Sequence, residues 1–145
     1  MPLHFVHPVH RATHRIGLYL SELREDDLSQ GEAHILALLA HSSPPATIAD
    51  LHRGLAHKRS TLTSILDRLV DRGLITRKVG ESDRRTFVIM PTAKGRRLAQ
   101  RVKRHLSDLE RAVIRRVSAA DIQGFKNVLS ALEQEAHRRS RAKGR

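Results

Sequence analysis

The segments TIADLHRGL at 47–55 and KRSTLTSILDRLVDRG at 58–73 decide the fold that this sequence predicts. In the second segment, four apolar residues recur with the i, i+3, i+4, i+7 spacing of one helix face: Leu62, Ile65, Leu66 and Leu69. Gly73 follows them and is typical of a helix C-terminus. In the first segment, Thr47 is a suitable N-cap for a shorter helix. The two segments therefore predict two amphipathic helices joined by a tight turn.

Two runs after Gly73 predict a β-hairpin. Residues 74–78 (LITRK) and 86–90 (TFVIM) have the composition of strands, and residues 79–85 (VGESDRR) between them form a charged hairpin tip. Helix, turn, helix and basic hairpin in this order make a winged helix-turn-helix. We therefore expect a mainly α fold with a small β wing, with about six helices and a two- to three-stranded antiparallel sheet.

Four fragments of this region carry a resemblance to a known family. They are STLT at 60–63, LVDRGL at 69–74, DRR at 83–85 and PTAKG at 91–95. In this order and spacing they resemble the MarR family of bacterial transcription regulators. The resemblance implies a homodimer, formed by the N- and C-terminal helices, that binds a pseudo-palindromic operator as a repressor. It also implies that a small aromatic or phenolic effector, bound between helices one, two and five, relieves repression.

Composition independently favours a nucleic-acid partner. The 145 residues carry a formal net charge of +12 and no cysteine, and only 3% of them are aromatic. Such a charge attracts polyanions, and the scarcity of aromatic rings disfavours a binder of single strands that stacks bases. Without cysteine there is no disulfide or thiolate metal site. No apolar run of membrane-spanning length and no signal peptide occurs, so we expect a cytoplasmic protein that binds duplex DNA.

The flanking regions predict helices that the middle of the chain cannot cover. We expect a single domain over 1–145, with a DNA-binding lobe at 28–91 and dimerisation helices and a basic tail at 1–27 and 92–145. The apolar spacing predicts helix one from Val9 to about Arg24, after a loose lead-in at 1–8. A long helix would begin at Pro91-Thr92. Its apolar stripe extends past the small core, which favours a dimer.

Serine caps are expected at two of these helices. Ser29 with Glu32, and Ser118 with Asp121, have the spacing of capping boxes at the starts of helix two and the last helix. The tail at 137–145, rich in Arg and Lys, is expected to fray.

The sites predicted to contact DNA lie on the second helix of the motif and on the wing. Hydroxyls and Arg68 on the outer helix face would meet base edges, whereas Lys58, Arg59, Arg77 and Lys78 suit phosphates. The wing-tip arginines would enter a minor groove. Following the resemblance, Asp83 would hold a neighbouring arginine. The DNA-binding set is Lys58, Arg59, Ser60, Thr61, Thr63, Ser64, Arg68, Arg77, Lys78, Asp83, Arg84 and Arg85. The alternatives are that Ser60 or Thr61 only caps the helix and that the tip is merely solvated.

Histidines near the N-terminus raise a separate possibility. His10 and His14 would share one helix face, and together with His7 they are candidates for a metal site. No carboxylate lies among them and Pro8 would interrupt a helix there, so the sequence favours exposed histidines and predicts no metal or other cofactor. A pH-responsive interface is a further possibility for the same residues.

The sequence contains no motif of an enzyme, since it lacks a glycine-rich phosphate loop, a nucleophile elbow and paired carboxylates in an apolar setting. We therefore expect a non-enzymatic, sequence-specific transcriptional regulator. Two alternatives stay open, a nonspecific architectural nucleic-acid binder and a protein-interaction module. The ratio of specific to random-sequence affinity separates the first alternative from a regulator.

Overall fold

The computed structural model describes residues 3–23, 28–41, 45–81 and 84–142. In these ranges the chain forms six helices and a small three-stranded antiparallel sheet, in agreement with the predicted winged helix-turn-helix. The elements in chain order are α1 Val6–Ser21, α2 Gln30–Leu39, β1 Ala46–Thr47, α3 Ile48–Leu55, α4 Arg59–Asp71, β2 Ile75–Val79, β3 Phe87–Pro91, α5 Ala93–Ile114 and α6 Ala119–Ala142. No helix in the described ranges combines the length and apolarity required to cross a bilayer.

Helix α1 begins three residues before its predicted start, so the expectation of a loose lead-in through Pro8 is wrong. Pro8 occupies the first turn of the helix. A proline is tolerated there because its missing N–H would have no partner within the helix. The helix ends at Ser21 rather than near Arg24, and residue 24 lies outside the described ranges.

Local capping sets the starts of α3 and α6 as the sequence predicts. The Asp50 N–H donates to Thr47 Oγ1 at 3.2 Å, and the Thr47 N–H donates to Asp50 Oδ2 at 2.9 Å. The same reciprocal pair links Ser118 and Asp121 at 3.1 and 2.9 Å. Helix α6 continues to Ala142, so the expectation that residues 137–142 fray is wrong.

The cap of α2 is only half of the expected box. The Glu32 N–H donates to Ser29 Oγ at 3.1 Å. The Glu32 side chain, however, does not return to the N-cap, and it pairs with arginines of α4 instead. The prediction of a complete capping box at this helix is therefore wrong.

The sheet has the order β1-β3-β2, and both pairings are antiparallel. Each hairpin strand lies one residue later than predicted, and β2 starts at Ile75 because Leu74 takes part in the cap that follows α4. There Gly73 has φ +68°, its N–H donates to the Val70 oxygen at 2.9 Å, and the Leu74 N–H donates to the Leu69 oxygen at 2.9 Å. These two bonds form a Schellman motif, which needs the left-handed glycine that the sequence offers.

The start of α5 is fastened to this same junction. The Thr92 hydroxyl donates to the Gly73 oxygen at 2.7 Å and accepts from the Gly95 N–H at 3.0 Å. A Cβ added to Gly95 would lie 1.8 Å from the Leu74 oxygen, so only glycine fits there. The wing is therefore held between the end of α4 and the first turn of α5.

The chain divides into two units, residues 1–106 and 107–145. The described part of the first unit contains a hydrophobic core in which the α4 stripe, Leu62, Ile65, Leu66 and Leu69, is buried. In the second unit, α6 has no buried residue, and Phe125 is 60% exposed. Thus the core that positions α4 and the wing belongs to the first unit.

Candidate nucleic-acid interface

The outward face of α4 begins with hydroxyl and basic side chains. Lys58 occupies the N-cap position with extended backbone and makes no side-chain cap. Ser60 and Thr61 lie within the first helical turn, so the alternative that either of them caps α4 is wrong. The exposed side chains of the first two turns are Arg59, Ser60, Thr61, Thr63 and Ser64. They present hydroxyls at the end of the helix that usually enters a major groove.

The Ser64 hydroxyl already has a partner within the helix. It donates to the Ser60 carbonyl oxygen at 3.0 Å, so in this rotamer the oxygen can only accept. In a major groove, an acceptor matches the amino groups of adenine and cytosine. Ser64 is thus suited to particular bases rather than to any base edge.

The start of α4 is also electrostatically positive. No acidic residue lies in its first turn, and Lys58 and Arg59 stand at the end where the helix dipole is positive. Unpaired backbone N–H groups at such a terminus bind anions. Lys58 and Arg59 are therefore placed as expected for phosphate contacts.

The second half of α4 differs because it carries carboxylates. Asp67 and Asp71 are exposed there. Asp67 forms an ion pair with Arg77 of β2. The pair attaches the wing strand to the outer side of α4, and it gives Arg77, which was predicted to bind phosphate, a carboxylate partner within the fold.

The opposite flank of α4 is held by α2. Arg68 Nε donates to Glu32 Oε1 at 3.2 Å, and Arg72 Nη1 donates to Glu32 Oε2 at 2.8 Å. Since successive residues of a helix are rotated by about 100°, Asp67 and Arg68 emerge on different sides of the outward face. Helix α4 is therefore braced on one flank by the wing and on the other by a carboxylate of α2.

The sequence prediction overlooked this role of Glu32, although a signal was present. Glu32 lies at i−3 and i−4 from Ile35 and Leu36, on the inner stripe of α2. The side chain is 4% exposed. A carboxylate on an apolar stripe requires a cationic partner, which the pattern indicated without identifying.

The wing places three predicted cations in solvent. Lys78 on β2 is exposed, as are Arg84 and Arg85 of the hairpin tip. The hairpin closes with the Gly80 N–H donating to the Thr86 oxygen at 2.8 Å. Asp83, predicted to hold a neighbouring arginine, lies outside the described residues.

Two pKa shifts lie near the helix-turn-helix. Hydrogen bonds from the backbone and side chain of Thr47 lower the pKa of the Asp50 carboxyl. Burial lowers the pKa of His34 on α2, and the nearby His57 lowers it further. His34 is therefore neutral at pH values where a solvated histidine starts to protonate.

Only two of the three candidate histidines near the N-terminus lie close together. His10 Nε2 and His14 Nε2 lie 3.2 Å apart on α1, with their rings edge to face. The shared helix face is as predicted, but His7 does not join the pair in a cluster. In the described ranges, no group of three or more His, Cys, Asp or Glu is arranged to hold a metal ion.

A reciprocal contact that the sequence did not indicate joins α1 to α5. The rings of Tyr19 and His105 stack at 3.8 Å. The Tyr19 hydroxyl donates to the His105 backbone oxygen at 3.1 Å, and His105 Nε2 lies 2.8 Å from the Tyr19 backbone oxygen. The pair fixes α1 against α5 in the first unit.

Comparisons with known proteins agree with this geometry. Residues 28–87 match the model of the MarR family. The chain is 30% identical over 115 residues to the HTH-type transcriptional regulator PetP of Rhodobacter capsulatus, a match that spans 79% of this chain and 69% of that protein.

Solved structures show the same fold at lower identity. The Staphylococcus aureus MepR–DNA complex matches with a TM-score of 0.78 at 20% identity and covers 93% of this chain and 99% of that one. PcaV of Streptomyces coelicolor, in complex with its natural ligand, matches with a TM-score of 0.74 at 17% identity and covers 92% and 94%. Together with the relative in Rhodobacter, these findings establish that the chain belongs to the MarR family of transcriptional regulators.

Proposed function

We propose that this protein acts as a homodimer that binds a pseudo-palindromic operator in duplex DNA, as a ligand-responsive repressor in the cytoplasm. Each protomer inserts the first two turns of α4 into a major groove and the wing into the flanking minor groove. The two half-sites lie about one helical turn apart. Regulation operates by occupancy of the operator, not by catalysis.

One observation carries the proposal. The Asp67–Arg77 ion pair attaches the wing strand to the outer side of α4, the helix that exposes hydroxyls in its first turns. Because the wing starts at this attachment, both elements can approach one duplex. The exposed cations flanking the hydroxyls then meet phosphates on either side of the groove.

Within this interface the predicted residues divide into three groups. The hydroxyls of Ser60, Thr61, Thr63 and Ser64 meet base edges. Lys58, Arg59, Arg77 and Lys78 meet or support contacts to phosphate. Arg68, which the sequence assigned to base edges, joins this group because Glu32 holds it on a flank of α4. In the third group, Arg84 and Arg85 enter the minor groove, and Asp83 orients one of them.

The dimer is supported by apolar surface that a single chain leaves exposed. In the first unit, Leu3, Phe5 and Leu18 of the N-terminal region are exposed, and in the second unit Phe125 and Val128 of α6 are exposed. Exposed apolar side chains at both ends of a chain are typical of a surface covered by association. A two-fold dimer also matches a two-fold operator.

The effector is a small aromatic or phenolic molecule that binds between α1, α2 and α5. The Tyr19–His105 stack supports this location, because it places an aromatic ring and hydrogen-bonding groups between α1 and α5. PcaV, a structural neighbour, was solved with its natural ligand. Binding would change the spacing between the two recognition helices and release DNA.

Selection of bound fragments from random duplex DNA tests the function. The selected duplex should bind about a thousandfold or more tightly than random duplex at one salt concentration. Lys78→Ala should weaken binding to selected and to random duplex alike. It should also reduce the slope of log K against log salt concentration by about 0.9 per protomer. Ser64→Ala should change the order of preference among sequences. Phenolic ligands added to the selected complex should release it.

Lys126→Ala is the matched control for charge, because Lys126 is an exposed lysine of α6, in the second unit, and is not among the residues of the proposed interface. It removes the same charge and should alter affinity less than Lys78→Ala. Wild-type protein that binds selected and random duplex equally would contradict sequence-specific regulation. The net charge of +12 would then favour the second candidate function, a nonspecific architectural binder.

A further inference from the structure

Glu32 is the charged residue that the fold buries within the described ranges. Burying a carboxylate is costly unless cations and hydrogen bonds replace the lost hydration. Arg68 and Arg72 supply both, at 3.2 and 2.8 Å. Glu32 also lies in the first turn of α2, where the helix dipole stabilises negative charge. Glu32 thus places a buried carboxylate against α4, the proposed recognition helix.

The two arginines that pair with Glu32 are not equivalent. The Arg72 side chain is 27% exposed and makes the shorter bond, whereas the Arg68 side chain is 53% exposed and bonds through Nε. A guanidinium is planar and carries five N–H donors. The Nε bond fixes the plane of Arg68 and leaves donors on Nη1 and Nη2. The Arg68 guanidinium is therefore held by Glu32 along its Nε edge, while about half of the side chain stays exposed to solvent.

We propose that Glu32 is a positioning residue for DNA binding, and that it orients the Arg68 guanidinium toward a phosphate beside the major groove. This inference rests on the proposed function of α4. A phosphate fits better than a base, because Arg68 follows the N-terminal turns that reach base edges and lies on a flank of the helix. An arginine held by a carboxylate donates in a fixed direction, so the phosphate contact also fixes the register of the protein on its operator.

For the variant Glu32→Gln, an effect of charge alone and a loss of positioning predict opposite changes in operator affinity. It removes a negative charge from each protomer, so electrostatic attraction alone would tighten binding to every duplex. The proposal predicts weaker operator binding, because Arg68 loses its fixed direction. We expect the operator affinity to fall by about tenfold or more, while affinity for random duplex stays equal or rises. Both affinities are measured at one salt concentration with protein of confirmed dimeric state.

Two controls separate positioning from folding and charge. Arg72→Gln removes the other partner of the same carboxylate, and it should lower Tm while the operator-to-random ratio stays that of the wild type. Glu110→Gln removes an equal charge from an exposed position on α5. It should leave the ratio unchanged.

Arg68→Lys keeps the charge and the partner Arg72, so it provides a test if Glu32→Gln does not fold. A lysine lacks the planar fork and cannot hold Glu32 and a phosphate in the same geometry. Arg68→Lys should therefore lower the operator-to-random ratio with little change in Tm. Combining it with Glu32→Gln should lower the ratio no further.

The proposal is overturned if Glu32→Gln or Arg68→Lys retains the wild-type ratio of operator affinity to random-duplex affinity. It is also overturned if Arg72→Gln lowers the ratio as much as Glu32→Gln does, since the carboxylate would then act only on the fold. A wild-type protein without operator preference would instead refute the proposed function, so the two failures are distinguishable.

Discussion

The two units of this chain achieve order in different ways. In the described ranges, every buried apolar side chain lies at or before Val102, within the first unit. Helix α6 in the second unit has 24 residues and buries none. Local interactions within α6 and at its start include the Ser118–Asp121 cap and the pairs of Glu135 with Arg138 and Arg139.

This difference indicates what each unit requires. A core of buried leucine, isoleucine and valine stabilises the first unit within one chain. Helices without tertiary packing are marginal in water even when they are long, so local caps and surface ion pairs alone do not stabilise α6. Its exposed apolar side chains, among them Phe125 and Val128, need cover, which the proposed dimer supplies. The helix-turn-helix and the wing are thus stabilised within one chain, whereas the proposed dimer covers exposed apolar side chains of the second unit.

The largest effect should come from Gly95→Ala. The new methyl group would overlap the Leu74 carbonyl oxygen, at 1.8 Å, so the junction of α4, wing and α5 must shift. We expect a loss of about 4 kcal/mol in the free energy of unfolding, measured with urea.

Gly124→Ala is the control in the second unit, since no heavy atom lies within 4 Å of its added Cβ. There alanine should raise stability by about 1 kcal/mol through helix propensity. Equal effects at the two glycines would contradict the contrast between the units.

A somewhat smaller effect is expected from Leu66→Ala. Leu66 is fully buried, and the cavity left behind should lower the free energy of unfolding by about 3 kcal/mol. Phe125→Ala, at an exposed position of α6, should cost less than about 0.5 kcal/mol within one chain.

The effect of Phe125→Ala should appear in association instead, as a larger dimer dissociation constant in sedimentation experiments. An unchanged dissociation constant would mean that the dimer does not cover the exposed face of α6 that carries Phe125.

The smallest effect concerns pH and is confined to α6. Hydrogen bonds from Arg138, and then from Arg139, lower the pKa of Glu135 to about 2. Because the folded-state pKa is depressed, the contribution of this pair is present above the unfolded value of about 4.3. It is lost as pH falls through about 2. Carboxyl chemical shifts in a titration by NMR should show this midpoint, and Arg138→Gln should raise it. An ordinary midpoint in the wild type would mean that the pair does not persist in solution.

The sequence by itself determined the features that depend on neighbouring residues. The apolar stripe of α4, the left-handed Gly73 and the caps at Thr47 and Ser118 involve groups at most a few positions apart, so their spacing predicts them. The same reasoning located the outer face of α4 and the wing. It failed at Pro8, where the rule that proline breaks helices does not apply to a first turn.

Only the tertiary structure decided which charged groups meet. Glu32 is separated by 36 residues from Arg68 and by 40 from Arg72, and Tyr19 lies 86 residues from His105. A sequence pattern shows that a buried carboxylate needs a cation, but the choice among many arginines depends on how α2 and α4 pack. For that reason the outward face of α4 and the wing were predictable from the sequence, whereas the ion pairs that brace α4 required the fold.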